Sequence, residues 1–225
     1  QNNARLFIAK DAIMPNDDND HDYINYLSQS IYRIAQENQC QTMILFNSLV
    51  TIEQVYSLLR RTDLFNQRDI LAQGINGGRE KILKQFATGT NSILLGASSF
   101  WEGIDLPNNQ LQLLIVTRLP FDAPDEAFTK AEHQLLKRNG KNPFYSSELP
   151  KATIRLRQGI GRLLRTPDDY GVAVVLDSRL DHRRYGKTII KALPDDLKVS
   201  AVETNQIAQL VKKFLKQDHQ HTNNQ

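Results

Sequence analysis

The sequence predicts an α/β fold, with a mostly parallel sheet covered by helices on both faces. Runs that are apolar on both sides recur at residues 42–47 (TMILFN), 92–97 (SILLGA), 111–117 (LQLLIVT) and 172–177 (VAVVLD). Segments with apolar residues at helical spacing alternate with them. Strands of this kind must be covered on both faces, which strand–helix crossovers achieve and hairpins with one wet face do not. At 225 residues the chain is long enough for one large domain of this type.

Residues 5–10 (RLFIAK) read as the first strand. Residues 22–38 form an amphipathic helix with Ile24, Leu27, Ile31 and Ile34 on one side. After strand 42–47, Ser48 or Thr51 can cap a helix reaching about Arg60, because a hydroxyl oxygen satisfies a free N–H of the first turn. Residues 74–78 (GINGG) are a loop, and 92–97 and 111–117 are strands, too short for helices. Residues 125–139 are helical with Gly140 as the stop. Pro150 can open the next helix and Pro167 must close it, since proline lacks the N–H that a helix interior requires. Strand 172–177 and helix 205–216 follow, then a polar tail, 217–225, expected to be flexible. Open parallel sheets bind ligands outside the carboxyl ends of their strands, which points to the loops after Asn47, Ala97 and Asp177.

Cys40 is the only cysteine, so this chain builds neither a disulfide framework nor a four-thiolate metal site, and its composition suits a reducing cytoplasm. The histidines lack ligand spacing with other metal-type residues. The apolar runs fall far short of the roughly 20 residues needed to span a membrane. No basic-then-apolar leader opens the chain, and Gln1 in place of Met suggests a piece of something longer. The net charge of +3 is unevenly spread. Residues 151–191 hold ten Lys/Arg against Asp168, Asp169, Asp177 and Asp181, while residues 11–22 hold five Asp and no Lys or Arg. The basic stretch implies an anionic partner, nucleic acid or a nucleotide phosphate, although a solvated surface would account for charge alone.

Two motifs sharpen this. In residues 151–165 (KATIRLRQGIGRLLR), helical spacing puts Leu156, Ile160, Leu163 and Leu164 on one face. The same spacing gathers Arg155, Gln158, Arg162 and Arg165 within about 80° on the other. Guanidinium groups suit phosphate because their planar forks donate paired hydrogen bonds and keep their charge. Gly159 and Gly161 are costly inside a helix, so they mark either a close approach to its backbone or a helix that merely tolerates them. In residues 98–107 (SSFWEGIDLP), two hydroxyls, two carboxylates and a glycine follow a buried strand at its carboxyl end. Phe100 and Trp101 would wedge this loop into the core. Glu102 and Asp105 could pair with the arginines, or Asp105 could accept from a sugar hydroxyl.

Together, SSFWEGIDLP, LQLLIVTRLPF and LRQGIGRLLRTPDDYGVAVVLDSRL resemble the second motor domain of the DinG/XPD group of superfamily 2 DNA helicases, and the bacterial DinG branch in particular. The first stretch is similar to helicase motif V and residues 158–165 to motif VI, with TMILFNS resembling the motif IV region. The similarity covers roughly residues 5–181, including GINGGREKILKQF. It implies a RecA-like three-layer α/β/α domain over residues 1–225, with a small helical insertion at 121–149. It further implies ATP hydrolysis in a cleft between two such domains, coupled to movement along single-stranded DNA. By that resemblance Arg162 and Arg165 would be arginine fingers, and Gln158 would position phosphate or water. Asp105, Gly103, Glu102 and Gly161 would serve the nucleotide, and Ser48, Ser98, Ser99 and Arg155 the DNA. ATP and Mg²⁺ would be held mainly by a first motor domain, the partner within the same protein. Family resemblance also implies 5′→3′ travel and a role in DNA repair.

The phosphate-cradling G-x-x-x-x-G-K-[ST] loop is absent. Gly186–Lys187–Thr188 lacks the preceding glycine and a strand leading into it, and is read as coincidence. Alone, the chain is expected to be inactive. In the 121–149 segment, Lys130, Lys137, Arg138 and Lys141 could track phosphates with Phe144 and Tyr145 near a base. A surface helical hairpin explains the same residues. Two competing functions are a nucleic-acid-binding domain without motor activity and a module that feeds DNA to an exonuclease.

Overall fold

The computed structural model describes residues 3–15, 20–97, 100, 111–123, 126–163 and 170–222, with side chains described as far as residue 216. Its elements run β1 (Ala4–Ala9), α1 (His21–Glu37), β2 (Thr42–Leu45), α2 (Leu49–Leu59), α3 (Leu64–Gln67), β3 (Ile70–Ala72), α4 (Arg79–Thr88), β4 (Ile93–Gly96) and β5 (Leu113–Val116). Then come α5 (Ala127–Arg138), a π-helical turn (Phe144–Glu148), α6 (Leu149–Ile160), β6 (Gly171–Val175), α7 (Arg179–His182), α8 (Arg184–Lys191), β7 (Lys198–Val202) and α9 (Thr204–Thr222).

Among the described residues the strands form one seven-stranded sheet in the order β3-β4-β2-β5-β6-β1-β7. Every pairing is parallel. Alternate strand residues enter opposite layers. Ile44, Ile115 and Val174 meet Leu27, Ile31, Val55 and Val211 of α1, α2 and α9. Met43, Leu45, Leu114, Val116 and Val175 meet Phe86, Leu156, Ile160 and Ile189 of α4, α6 and α8. Fully burying such a side chain contributes about 1.5–3 kcal/mol, so these two cores are the main adhesive of the three layers.

β2, β4 and β5 fall inside the runs that predict them and β6 begins one residue before its run, while Ser48 is the N-cap of α2, its hydroxyl accepting from Thr51 N. Gly140 ends α5 with φ 69, the left-handed conformation that glycine adopts without a Cβ clash. Four elements differ from expectation. The edge strands β3 and β7 were not read from the sequence, because β3 has three residues and β7 is only partly buried along its length. The last helix runs to Thr222, six residues into the polar stretch expected to be a flexible tail. The arginine-bearing helix ends at Ile160 instead of running to Pro167.

Arg68 locks one corner of the fold. Its Nη1 donates to Ala35 O (2.9 Å) and Asn38 O (3.2 Å) at the end of α1, and its Nε to Asn91 O (3.1 Å). Nη2 reaches Cys40 O and, at 3.0 Å, Thr42 Oγ1. The guanidinium is 5% exposed, and burial pulls its pKa down to about 10. A buried charge of this kind is tolerable because its donors are met by acceptors, among them Ala35 O in the last turn of α1.

Candidate functional site

The loops at the carboxyl ends of the three central strands are joined through residues 117–122, directly after β5. Leu119 N donates to Asp177 Oδ2 (2.8 Å), at the end of β6. Leu119 O accepts from Asn47 Nδ2 (2.9 Å), at the end of β2. Arg155, in the middle of α6, donates through Nη1 to Pro120 O (3.2 Å) and to the Asp122 carboxylate. Tyr23 of α1 donates its hydroxyl to Thr117 O (3.3 Å).

Asp177 is fully buried and takes four donors: Leu119 N, Arg179 N (3.0 Å), and Arg179 Nε and Nη2 (2.6 Å to Oδ2). Burial alone would lower the Arg179 pKa, but the hydrogen bond and charge of Asp177 raise it above the ordinary arginine value. The pair is therefore a fixed ionic strut, and the Arg179 guanidinium also lies 5.4 Å from the centre of the Phe121 ring.

At the end of α6, Gly161 N donates to Arg157 O (2.8 Å), Arg162 N to Gly159 O (3.2 Å) and Leu163 N to Ile160 O (2.9 Å). The last turn thus tightens to three-residue spacing, and Arg162 projects from a turn, off the helical stripe that spacing alone assigns it. Arg162 Nη1 donates to the main-chain oxygen of Phe100, in the loop after β4. Phe100 is fully buried, as expected of a wedge. Its ring lies over Gly96, where an added Cβ would come within 2.5 Å of the Phe100 Cγ. A glycine is required there for the loop to turn back onto its own strand.

The expected site residues divide accordingly. Arg162, Gln158, Gly161, Arg155 and Ser48 are described. Gln158 is exposed in the last turn of α6, and Arg162 and Gly161 are half-buried beside it. Arg155, expected on DNA, is turned to Pro120 and Asp122. Ser48 is half-buried, capping α2 and bonded to Thr51 Oγ1 (2.9 Å). Arg165, Ser98, Ser99, Glu102, Gly103 and Asp105 lie outside the described residues, as does Trp101. The Gly-Lys-Thr triplet falls at 186–188 inside α8, which follows α7 and no strand. A Cβ on Gly186 would sit 2.0 Å from Leu180 O, so that glycine serves helix packing.

Residues 121–149 carry α5 and the π-helical turn. Within α5, Thr129 is buried, while Phe128 and Leu135 are 75% and 60% exposed. Lys151 fastens α5 to α6 by bonding Glu132 Oε2 (2.6 Å) while approaching Asp122 at 3.8 Å. Phe144 packs against Phe121, Tyr145 and Tyr185 with ring centroids 5.1–5.6 Å apart. Among the described residues, no group of three or more His, Cys, Asp or Glu could hold a metal ion. No helix among them is long and apolar enough to cross a membrane.

Asn47, Asp177 and Arg179 were not picked out as site residues from the sequence. The available signal was position: Asn47 and Asp177 stand two residues past the ends of β2 and β6, at the carboxyl edge of the sheet, and Arg179 opens the helix that follows.

Comparison with known proteins decides the family. The helicase C-terminal domain family matches residues 31–196, most of the chain. The chain belongs to that family. This helicase C-terminal domain is 37% identical over 191 residues to the 3′-5′ exonuclease DinG of Bacillus subtilis, covering 84% of the chain and 20% of that protein. It is 36% identical over 175 residues to the ATP-dependent DNA helicase YoaA of Haemophilus influenzae, covering 76% of the chain and 26% of YoaA. The chain thus spans about a quarter or less of these relatives. A solved XPD helicase superposes with a TM-score of 0.67 at 18% identity, over 88% of this chain and 35% of that one. The fold is RecA-like, and the chain is a DinG-type C-terminal helicase domain.

Proposed function

We propose that this helicase domain is the C-terminal motor half of an ATP-dependent DNA helicase, working against an N-terminal motor domain of the same protein. The observation that carries the reading is the hydrogen bond from Arg162 to Phe100 O, which joins the turn after α6 to the loop after β4. That contact holds a guanidinium at Phe100, which precedes Glu102, Gly103 and Asp105 in the sequence.

In this reading Arg162 and Arg165 meet the charge that develops on the transferred phosphoryl group, an effect worth about 10³–10⁵ in rate. Gln158 orients phosphate or water, Gly161 lets the nucleotide approach the turn, and Asp105, Gly103 and Glu102 serve the nucleotide. The half-buried guanidinium and the exposed amide are donors suited to phosphate oxygens. ATP supplies the phosphoryl group when bound, and Mg²⁺ would be held mainly by the first motor domain. Ser48, Ser98 and Ser99 would face single-stranded DNA, while Arg155, engaged with Pro120 O and Asp122, would meet it only by exchanging that carboxylate for a phosphate. Lys130, Lys137, Arg138 and Lys141 of the 121–149 insertion would track its phosphates, with Tyr145 near a base. The setting would be the cytoplasm.

The test is ATP hydrolysis by this chain with and without single-stranded DNA, repeated with the upstream half added. Activity only in the mixture is the expected result. Robust activity from the chain alone overturns the split-site reading. The name of the Bacillus subtilis relative favours one alternative, a module that feeds DNA to an exonuclease. DNA binding without hydrolysis in the mixture, together with clustered carboxylates in an upstream domain, would support it.

A further inference from the structure

Resting on that proposed function, we infer that Asn47 is a positioning residue that makes ATP hydrolysis respond to DNA. Asn47 immediately precedes Ser48, the residue that caps α2 and is proposed to meet DNA. Its Nδ2 donates to Leu119 O (2.9 Å), while its Oδ1 is buried without a hydrogen-bond partner among the described residues, so this amide is held through its nitrogen. Leu119 belongs to the loop that also receives Arg155 at Pro120 O and Asp122. Seven residues further along the chain is Arg162, on the turn that ends the Arg155 helix. The backbone of residues 119–120 is therefore held from one side by the DNA-proximal end of β2 and from the other by the arginine-bearing helix.

The rest of the loop has little freedom to absorb a shift. Leu119 N is fixed by the buried Asp177 (2.8 Å), Thr117 O by Tyr23 (3.3 Å), and Thr117 N and Oγ1 both donate to Leu45 O (3.0 and 2.9 Å). A displacement at Ser48 is thus passed through Asn47 to Leu119, whose chain neighbour Pro120 is held by Arg155. Asn47 makes no contact with the reacting groups itself. Its donor sets where the Ser48 end stands relative to the arginine turn.

The experiment uses the full-length protein, with ATP hydrolysis measured across a titration of single-stranded DNA and DNA affinity measured separately. Two variants are compared, Asn47→Ala, which removes the side-chain amide, and Asn47→Asp, which keeps its shape but loses the donor. The expected result for both is unchanged DNA affinity and unchanged DNA-free hydrolysis. The maximal DNA stimulation should fall by about tenfold, the scale of one buried hydrogen bond. Full stimulation in Asn47→Asp overturns the inference, because the donor is then dispensable. Parallel loss of DNA-free hydrolysis, DNA affinity and thermal midpoint also overturns it, since the residue would then be structural alone. A wild-type protein whose hydrolysis ignores DNA would refute the proposed function first, which separates the two failures.

Discussion

Arg162 and Phe100 are joined by a hydrogen bond from a guanidinium to a main-chain oxygen across 62 residues of sequence. The bond ties the turn after α6 to the loop after β4, and through Phe100 to Gly96, whose missing side chain makes room for the ring. Arg162 is thereby held in one place before any phosphate arrives, which spares the ordering of a long side chain at the moment of reaction.

Replacing Arg162 by Ala in the full-length protein is expected to lower kcat for DNA-stimulated ATP hydrolysis by about 10³-fold or more, with DNA binding retained. Arg162→Lys should recover little, because an ammonium cannot reproduce the planar fork. Steady-state kinetics checks both, and an unchanged kcat for Arg162→Ala removes the finger assignment.

Gly96→Ala tests the wedge beneath that site. The added methyl would lie 2.5 Å from Phe100 Cγ and 2.7 Å from its Cβ, the root of the side chain, which cannot swing aside. The expected cost is about 1–3 kcal/mol of stability, as for other overpacked core positions. Urea unfolding should show the loss.

Arg68→Met removes the donors for the carbonyls of Ala35, Asn38, Cys40 and Asn91. Asn38 O keeps Cys40 N and Cys40 O keeps Thr42 Oγ1, so the loss falls on Ala35 O and Asn91 O and should cost about 3 kcal/mol, read as a lower urea midpoint with an unchanged slope. Loss of the helical signal near α1 in hydrogen exchange would locate the damage.

Acid sensitivity is expected at Asp11. Its carboxylate accepts from Thr204 N (2.8 Å) and Thr204 Oγ1 (2.6 Å) at the start of α9. Burial pushes its pKa up, but the Thr204 hydrogen bonds outweigh this and hold it below the usual 3.8. A carboxylate lowered in the folded state stabilises fully above its unfolded pKa and loses that contribution as pH falls through the folded value. Wild type should therefore melt higher than Asp11→Asn near neutral pH, and the two should converge in acid. A gap that persists at acid pH refutes the role.

The buried strands and amphipathic helices were legible because periodicity and apolarity belong to short windows. Residues 113–116 and 172–175 read as strands with no knowledge of their neighbours. β7 escaped because an edge strand has no continuous apolar run, and its five residues are exposed or half-buried. The end of α6 escaped because helical spacing can be extended on paper through Gly161, whereas the chain turns there.

By itself the sequence determined the layered α/β class, and it singled out the carboxyl-end loops of the sheet and the arginines proposed to meet phosphate, all from local composition and spacing. Tertiary structure alone decided which of them meet. The strand order places β5 between β2 and β6, so Leu119 can bond Asn47 and Asp177 at separations of 72 and 58 residues. It turned Arg155 onto Asp122 and Arg162 onto Phe100, though their spacing alone makes them equivalent. A side chain's partner is set by the loops that strand order brings within hydrogen-bonding reach, and no window of sequence contains that distance.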